Sequence, residues 1–266
     1  MMNVHSVSLR GGRNQNEDKH DIKINIGDTD NKLGRINYYG VYDGHGGKEV
    51  SQYLFDNLSK YFMPKDVKYP LTKEYVIKIY DHLQNNLGRT EYAYHTGSTA
   101  LVAVQFKYLN QNYLNILNTG DSRCILCRDN IAVSLTKDHK PSWPEERARI
   151  EQIGGKITFD GFDWRIKDLS VSRAFGDIDS TPFVTHRPDI YRYKLDKYDK
   201  FFVLACDGLW DVLSNQDVAN FVLDYCYDIT TNTRINKEIN IAKKLGEYAI
   251  RKGSGDNITI IVIFLI

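Results

Sequence analysis

Hydrophobic positions along this chain follow two periods, and the switches between them mark out the elements. Val4 to Leu9 reads as a first strand, bent by Gly11-Gly12. Arg13 to Asp18 is a polar run. Ile22, Ile24 and Ile26 then alternate with Lys23 and Asn25, the two-residue period of a half-buried strand. A turn-rich stretch over 27–34 leads into Tyr38-Tyr39-Gly40-Val41-Tyr42, an apolar strand that stops at Asp43. Val50, Tyr53, Leu54, Leu58 and Tyr61 recur at helical spacing up to Pro64, and Tyr75, Val76, Ile79, Tyr80 and Leu83 mark a second helix ending near Gly88. Each has one apolar face, which predicts packing against a sheet.

From Gly97 to Leu135 the period returns to two. Strands are predicted at Thr99–Phe106, Tyr113–Asn118, Arg123–Cys127 and Ile131–Leu135, joined by hairpin-type turns at 110–112, 120–122 and 129–130. This predicts an antiparallel meander. Ser142-Trp143-Pro144-Glu145 has the spacing of a capping box opening a helix through Ile153, closed by Gly154-Gly155. Gly161 to Gly176 lacks periodicity and is expected to be a mobile insertion near the site. Phe201 to Ala205 is a strand running into Cys206-Asp207-Gly208, Ser214 with Asp217 caps a helix through Tyr225, and Arg234 to Arg251 reads as another helix. Asn257 to Ile266 is almost wholly apolar, as a strand buried on both faces requires. Two clusters of antiparallel strands, each followed by amphipathic helices, predict an α+β fold of sheet on sheet with helices outside. No repeat or linker interrupts the pattern, so 1–266 reads as one domain.

Composition narrows the classes without choosing among them. The 266 residues are 42% hydrophobic and 26% charged, with a net charge of +1, so no bias toward nucleic acid or an anionic membrane follows. No apolar run is long enough to span a bilayer, and the N-terminus has no signal-peptide pattern. An intracellular protein is expected, in the cytoplasm, with the nucleus as the alternative. Cys124 and Cys127 form a CxxC, but on a strand positions three apart face opposite ways. The four cysteines are therefore read as reduced and structural.

The candidate chemistry lies at strand ends. Asp43 precedes Gly44-His45-Gly46-Gly47, Asp207 precedes Gly208 and Asp256 precedes Asn257, while Glu17, Asp18 and Asp121 sit in turns. Taken singly, each is an ordinary turn residue. Together they suit a hard cation: clustered carboxylates repel unless a cation compensates, and oxygen ligands without His or Cys select Mg2+ or Mn2+. Two such ions can hold a water as hydroxide at neutral pH. The pattern alone reaches a metal-dependent hydrolase and no further.

The sequence also resembles the metal-dependent serine/threonine protein phosphatases of type 2C. The resemblance runs through Arg13-x-x-x-Glu17-Asp18, Val41-Tyr42-Asp43-Gly44-His45-Gly46-Gly47, Gly97-Ser98-Thr99-Ala100 and Gly120-Asp121-Ser122-Arg123. It continues through Asp138-His139-Lys140-Pro141, Ser172-Arg173-Ala174-Phe175-Gly176-Asp177, Arg187-Pro188-Asp189-Ile190, Cys206-Asp207-Gly208-Leu209-Trp210-Asp211 and Gly255-Asp256-Asn257, in the family's order. It implies a four-layer α-β-β-α sandwich, with a flap-like segment at about 140–182. The implied activity is hydrolysis of phosphoserine and phosphothreonine on proteins by a hydroxide bridging two Mg2+ or Mn2+ ions.

Carried over residue by residue, Asp43 is similar to the carboxylate bridging both ions and Gly44 to the residue offering its carbonyl. Asp207 and Asp256 resemble ligands of the other ion, Glu17 an acid acting through bound water, and Asp18 its supporting neighbour. Arg13 resembles the phosphate clamp and His45 the general acid. Asp121, with Asp207 and Thr99, resembles the site of a weaker third ion. The family's Arg-Val-x-Gly-x-Leu is here Arg165-Ile166-Lys167-Asp168-Leu169, one residue shorter and without the glycine, and Ser170 replaces an alanine. Both changes bear on substrate preference. The family default is a monomer acting on phosphoproteins, and the ends of the chain fall near those of the catalytic domain, so no targeting or regulatory extension is expected. Two other readings stand beside this one: a catalytically silent binding module of the same fold, marked by loss of ligands that are all present here, and a two-metal phosphoesterase acting on small molecules or nucleic acid.

Overall fold

The computed structural model describes residues 4–26, 36–63, 67–228 and 230–265. The turn expected at 27–34 and the stop at Pro64 lie outside these residues. The first part of the chain forms β1 (Val4–Leu9), β2 (Lys19–Ile26), β3 (Ile36–Tyr42), β4 (Gly44–His45), α1 (Glu49–Asn57) and α2 (Lys73–Leu87). Then come β5 (Gly97–Ser98), β6 (Ala100–Tyr108), β7 (Gln111–Thr119), β8 (Arg123–Arg128), β9 (Ile131–Ser134) and α3 (Pro144–Gln152). Short strands β10 (Thr158–Phe159), β11 (Trp164–Arg165) and β12 (Phe175–Gly176) precede β13 (Asp189–Lys194) and β14 (Asp199–Ala205). The chain closes with α4 (Asp207–Trp210), α5 (Asn215–Cys226), α6 (Ile241–Arg251) and β15 (Ile258–Phe264).

Two five-stranded antiparallel sheets, ordered β1-β15-β14-β8-β9 and β13-β7-β6-β3-β2, make the centre. Alternation along each strand sends neighbours to different layers. Tyr39, Val41, Leu101 and Ala103 of one sheet pack against Cys124, Leu126, Phe202 and Leu204 of the other, between the sheets. Tyr38, Tyr42, Val102 and Val104 point outward onto Val50 and Leu54 of α1 and Val76, Tyr80 and Leu83 of α2. Ile125, Cys127, Val203 and Val262 point the other way, onto Val218 and Val222 of α5 and Leu245 of α6. This is the four-layer α+β sandwich expected. Cys124 and Cys127 fall in different layers, and all four cysteines are buried and free.

Three expectations are corrected, and one strand was not foreseen. The run 97–135 is not one meander: β6 pairs with β7 and β8 with β9, but 120–122 carries the chain from one sheet to the other. Its turn residues were legible; that β8 would find its partner in β14, far along the chain, was not. The Ser142 capping box does not form, because α3 starts later, at Pro144 after Trp143, with no side-chain cap. The ring of Pro144 fixes a helical φ at the first position, where no N–H is needed. Ser214 and Asp217, by contrast, do close a capping box on α5. The helix expected from Arg234 begins only at Ile241: Asn236 has φ 52°, outside helical geometry, and Asn240 caps the true start by accepting from the Lys243 N–H. Finally, Asp189–Lys194 is a strand that the sequence pattern missed; it pairs with β7 at the sheet edge.

Candidate metal and phosphate site

Strand ends from both sheets meet at one edge of the sandwich, around a cavity of about 430 Å3. Its lining includes Arg13, Glu17, Asp43, Gly44, His45, Thr99, Asp121, Asp207 and Asp256. Every residue singled out for the site thus faces one cavity except Asp18, which lies buried behind it. Asp43 leaves β3 and Asp207 follows β14, so the two sheets deliver one carboxylate each, and Asp121 lies in the segment crossing between them.

One carboxylate oxygen from each of Asp43, Asp121 and Asp207 lies within 4.8 Å of the others, and Asp18, Asp43 and Cys206 form a second such group. Burial drives the Asp43 carboxyl well above the ordinary carboxylate range, and the charges of Asp207, Asp18 and Asp121 push it further. Asp207 moves the same way, through burial and the charge of Asp121. Asp18 rises to about 6, mainly by burial, and neither of its oxygens has a hydrogen-bond donor at ordinary geometry. Acids so placed are unfavourable as anions until a cation arrives. The all-oxygen group of Asp43, Asp121 and Asp207 fits a hard divalent ion.

The backbone around Asp43 is held firmly. Thr99 Oγ1 accepts from the Asp43 N–H at 3.1 Å, the Thr99 N–H donates to the Asp43 carbonyl at 2.8 Å, and Ser122 Oγ lies 2.8 Å from Thr99 Oγ1. Gly44 pairs with Ser98 in a small sheet, β12-β5-β4. A Cβ at Gly44 would run into the Glu17 carbonyl and Ser51 Oγ, so glycine there lets the Glu17 loop close onto the strand end. That loop is stapled by Asn257, whose Oδ1 accepts from the Glu17 N–H at 2.8 Å and whose Nδ2 donates to the carbonyls of Arg10 and Gln15.

Two partners, Lys140 and Asp177, were not given roles by the sequence pattern, and one pairing inside the site, of Arg13 with Asp256, was not foreseen. Lys140 forms an ion pair with Asp121; burial opposes its charge, but Asp121 and Asp207 outweigh burial and raise its pKa. Asp177 lies 2.8 Å from His45 Nε2; burial alone would lower the His45 pKa, and the hydrogen bond and charge of Asp177 reverse that. Asp256 accepts from Arg13 Nη2 at 2.6 Å. Lys140 and Asp177 stand inside quoted motifs, yet a one-dimensional pattern does not say which acid or base each will face.

A family model described as Protein phosphatase 2C matches residues 2–258. The chain belongs to the protein phosphatase 2C family. A PP2C-like domain-containing protein of Acanthamoeba polyphaga mimivirus is 46% identical over 167 residues, covering 57% of this chain and 93% of that protein. Probable protein phosphatase 2C 52 of Oryza sativa subsp. japonica is 37% identical over 260 residues, 96% of this chain but 49% of that protein. Probable protein phosphatase 2C 11 of Arabidopsis thaliana is 36% identical over 262 residues, 96% of this chain and 64% of that protein. The chain thus spans about half to two thirds of these plant relatives. Among solved structures, serine-threonine phosphatase 2C from Toxoplasma gondii superposes with a TM-score of 0.79 at 22% identity, over 99% of this chain and 94% of that one. A C. elegans sex determining protein gives 0.82 at 24% identity, over 99% of this chain and 64% of that one. At such identities these two speak for the fold alone.

Proposed function

We propose that this chain hydrolyses phosphoserine and phosphothreonine on proteins, with Mg2+ or Mn2+ held by the acids of the cavity. The observation that carries the reading is the convergence of Asp43, Asp121 and Asp207 within 4.8 Å in a cavity also lined by Arg13 and His45. Asp43, the Gly44 carbonyl, Asp207 and Asp256 would hold two ions, with Glu17 acting through water and Asp18 in support. Asp121, Asp207 and Thr99 would hold a weaker third. When bound, the ions neutralise the carboxylates and supply an activated water for attack on phosphorus.

The chain's own groups do the rest. The Arg13 guanidinium binds two phosphate oxygens as a planar fork and stays charged at any working pH. One Nη2 N–H bonds Asp256, which leaves its other N–H groups for phosphate. His45 gives a proton to the departing serine or threonine oxygen, which is a poor leaving group without one. Residues 1–266 act as one catalytic domain, monomeric and intracellular, in the cytoplasm or the nucleus, on phosphoprotein substrates, with no part for nucleic acid or membrane. Among the described residues no helix is long and apolar enough to cross a bilayer.

Three substrates separate this reading from the others: a phosphothreonine peptide, a sugar phosphate and single-stranded DNA, each with Mn2+ and with chelator. Phosphate release from the peptide that chelator stops supports the proposal. Turnover of the sugar phosphate or DNA in place of the peptide would favour a different phosphoesterase, and no turnover of any would favour the silent module.

A further inference from the structure

His45 is tied down by a residue that touches neither the acidic cluster nor the cavity. Its Nε2 lies 2.8 Å from Asp177 Oδ2, and the His45 side chain is 27% exposed while that of Asp177 is 2%. In the sheet β12-β5-β4, Gly97 lies between His45 on one side and Gly176 on the other. Gly97 clears the path for the bond, since a Cβ there would collide with both the Asp177 carboxylate and His45 Nε2. Asp177 itself has φ 44° and ψ 44°, a left-handed conformation unusual for a residue with a side chain.

Something must hold that conformation, and the structure supplies it. The Gln84 amide, on α2, reads both backbone groups of Gly176: Oε1 accepts from the Gly176 N–H at 2.9 Å and Nε2 donates to the Gly176 carbonyl at 2.8 Å. The Asp177 N–H donates to the Thr96 carbonyl at 3.0 Å. A helix that contributes no residue to the cavity lining thus fixes the backbone that aims Asp177 at the ring.

We propose that Asp177, set by Gln84 through Gly176, is a positioning residue that fixes the His45 imidazole by Nε2 and leaves Nδ1 to face the leaving group. The assignment rests on the phosphatase reading. When the bond from phosphorus to the serine or threonine oxygen breaks, that oxygen takes the Nδ1 proton. The imidazole is left neutral, with Nε2–H still donated to the Asp177 carboxylate. A ring held at one nitrogen keeps the other within reach of the leaving oxygen, which is where orientation gains rate.

The test combines a spectroscopic and a kinetic arm. In nitrogen-15 spectra the wild type shows a hydrogen-bonded, slowly exchanging Nε2 proton, assigned by its loss in His45→Ala, and Asp177→Ala loses it too. Its absence from the wild type would overturn the assignment even if no activity were found. Kinetically, Asp177→Ala lowers kcat on a phosphothreonine peptide about tenfold more than on an aryl phosphate, whose leaving group needs no proton, with KM for the peptide little changed. His45→Ala/Asp177→Ala is no slower on the peptide than His45→Ala, because the two act as a unit. Equal slowing on both substrates, or a full additional loss in the double variant, would overturn it. Should Asp177→Ala fail to fold, Asp177→Asn and Gln84→Ala are read by the same ratio. Wild type inactive on both substrates would sink the phosphatase reading, leaving the spectrum to decide the geometry.

Discussion

Arg13 donates a 2.6 Å hydrogen bond to Asp256, so the cation proposed to grip phosphate rests on a carboxylate proposed to grip metal. The guanidinium is largely exposed and the carboxylate half-buried, so the pair can part without opening the core. Arg13→Ala is therefore expected to raise the KM for a phosphopeptide about tenfold or more, the scale of a charged hydrogen bond. Mn2+ affinity should not fall, since Arg13 competes for Asp256. Calorimetry showing weaker Mn2+ binding in this variant would contradict the division of roles.

Asp207 and Asp121 are close together but differently engaged. Asp121 has Lys140 as a counter-charge, whereas Asp207 has mainly other acids around it. Asp207→Ala is expected to abolish turnover together with tight Mn2+ binding. Asp121→Asn is expected to keep the tight ions and lose only a weak one. Equal loss in both would show that Asp121 is a principal ligand.

The acids also set how stability depends on pH when chelator is present. Asp18, Asp43 and Asp207 are raised in the folded state, so between the ordinary carboxylate value and the folded value the native protein binds more protons than the unfolded chain. Stability then falls as pH rises, starting from about 4 and continuing through about 6 for Asp18. In chelator the melting temperature should drop over that interval, and Mn2+ should restore it most at neutral pH. A melting temperature indifferent to Mn2+ at neutral pH would count against a cation site here.

Glu146 behaves in the opposite sense. Burial would raise its carboxyl, but hydrogen bonds and charge from Arg173 and Arg149 outweigh that and bring it down to about 2. Its contribution is present above the unfolded value of about 4.3 and is lost as pH falls through about 2. Glu146→Gln should cost on the order of 2–3 kcal/mol at neutral pH, since each tenfold change in proton affinity is about 1.4 kcal/mol. The gap between variant and wild type should close as pH falls from 4 toward 2; a gap that persists would mean the residue matters by shape and not by charge.

The layers were legible because each strand carries its own alternation: Tyr38 and Tyr39 already announce two faces, and Ile258 to Phe264, buried throughout, announces a central strand. Asp43 and Asp207 were legible as acids stopping apolar runs. What stayed hidden were pairings between distant segments. Nothing in 120–122 says that the chain changes sheets there, nothing in Asp177 names His45, and nothing in Asp256 names Arg13. The start of α6 is hidden because the residues after Arg234 keep a helical look in sequence, while Asn236 takes a left-handed turn and Asn240 supplies the cap.

The most direct test is the rate of phosphate release from a phosphothreonine peptide as a function of Mn2+ concentration, for wild type and Asp43→Asn. Wild-type activity should rise from nothing in chelator to saturation, and Asp43→Asn should stay folded yet remain inactive at every Mn2+ concentration. Activity in chelator, or a saturating rate in Asp43→Asn close to that of wild type, would contradict a phosphatase built on these carboxylates.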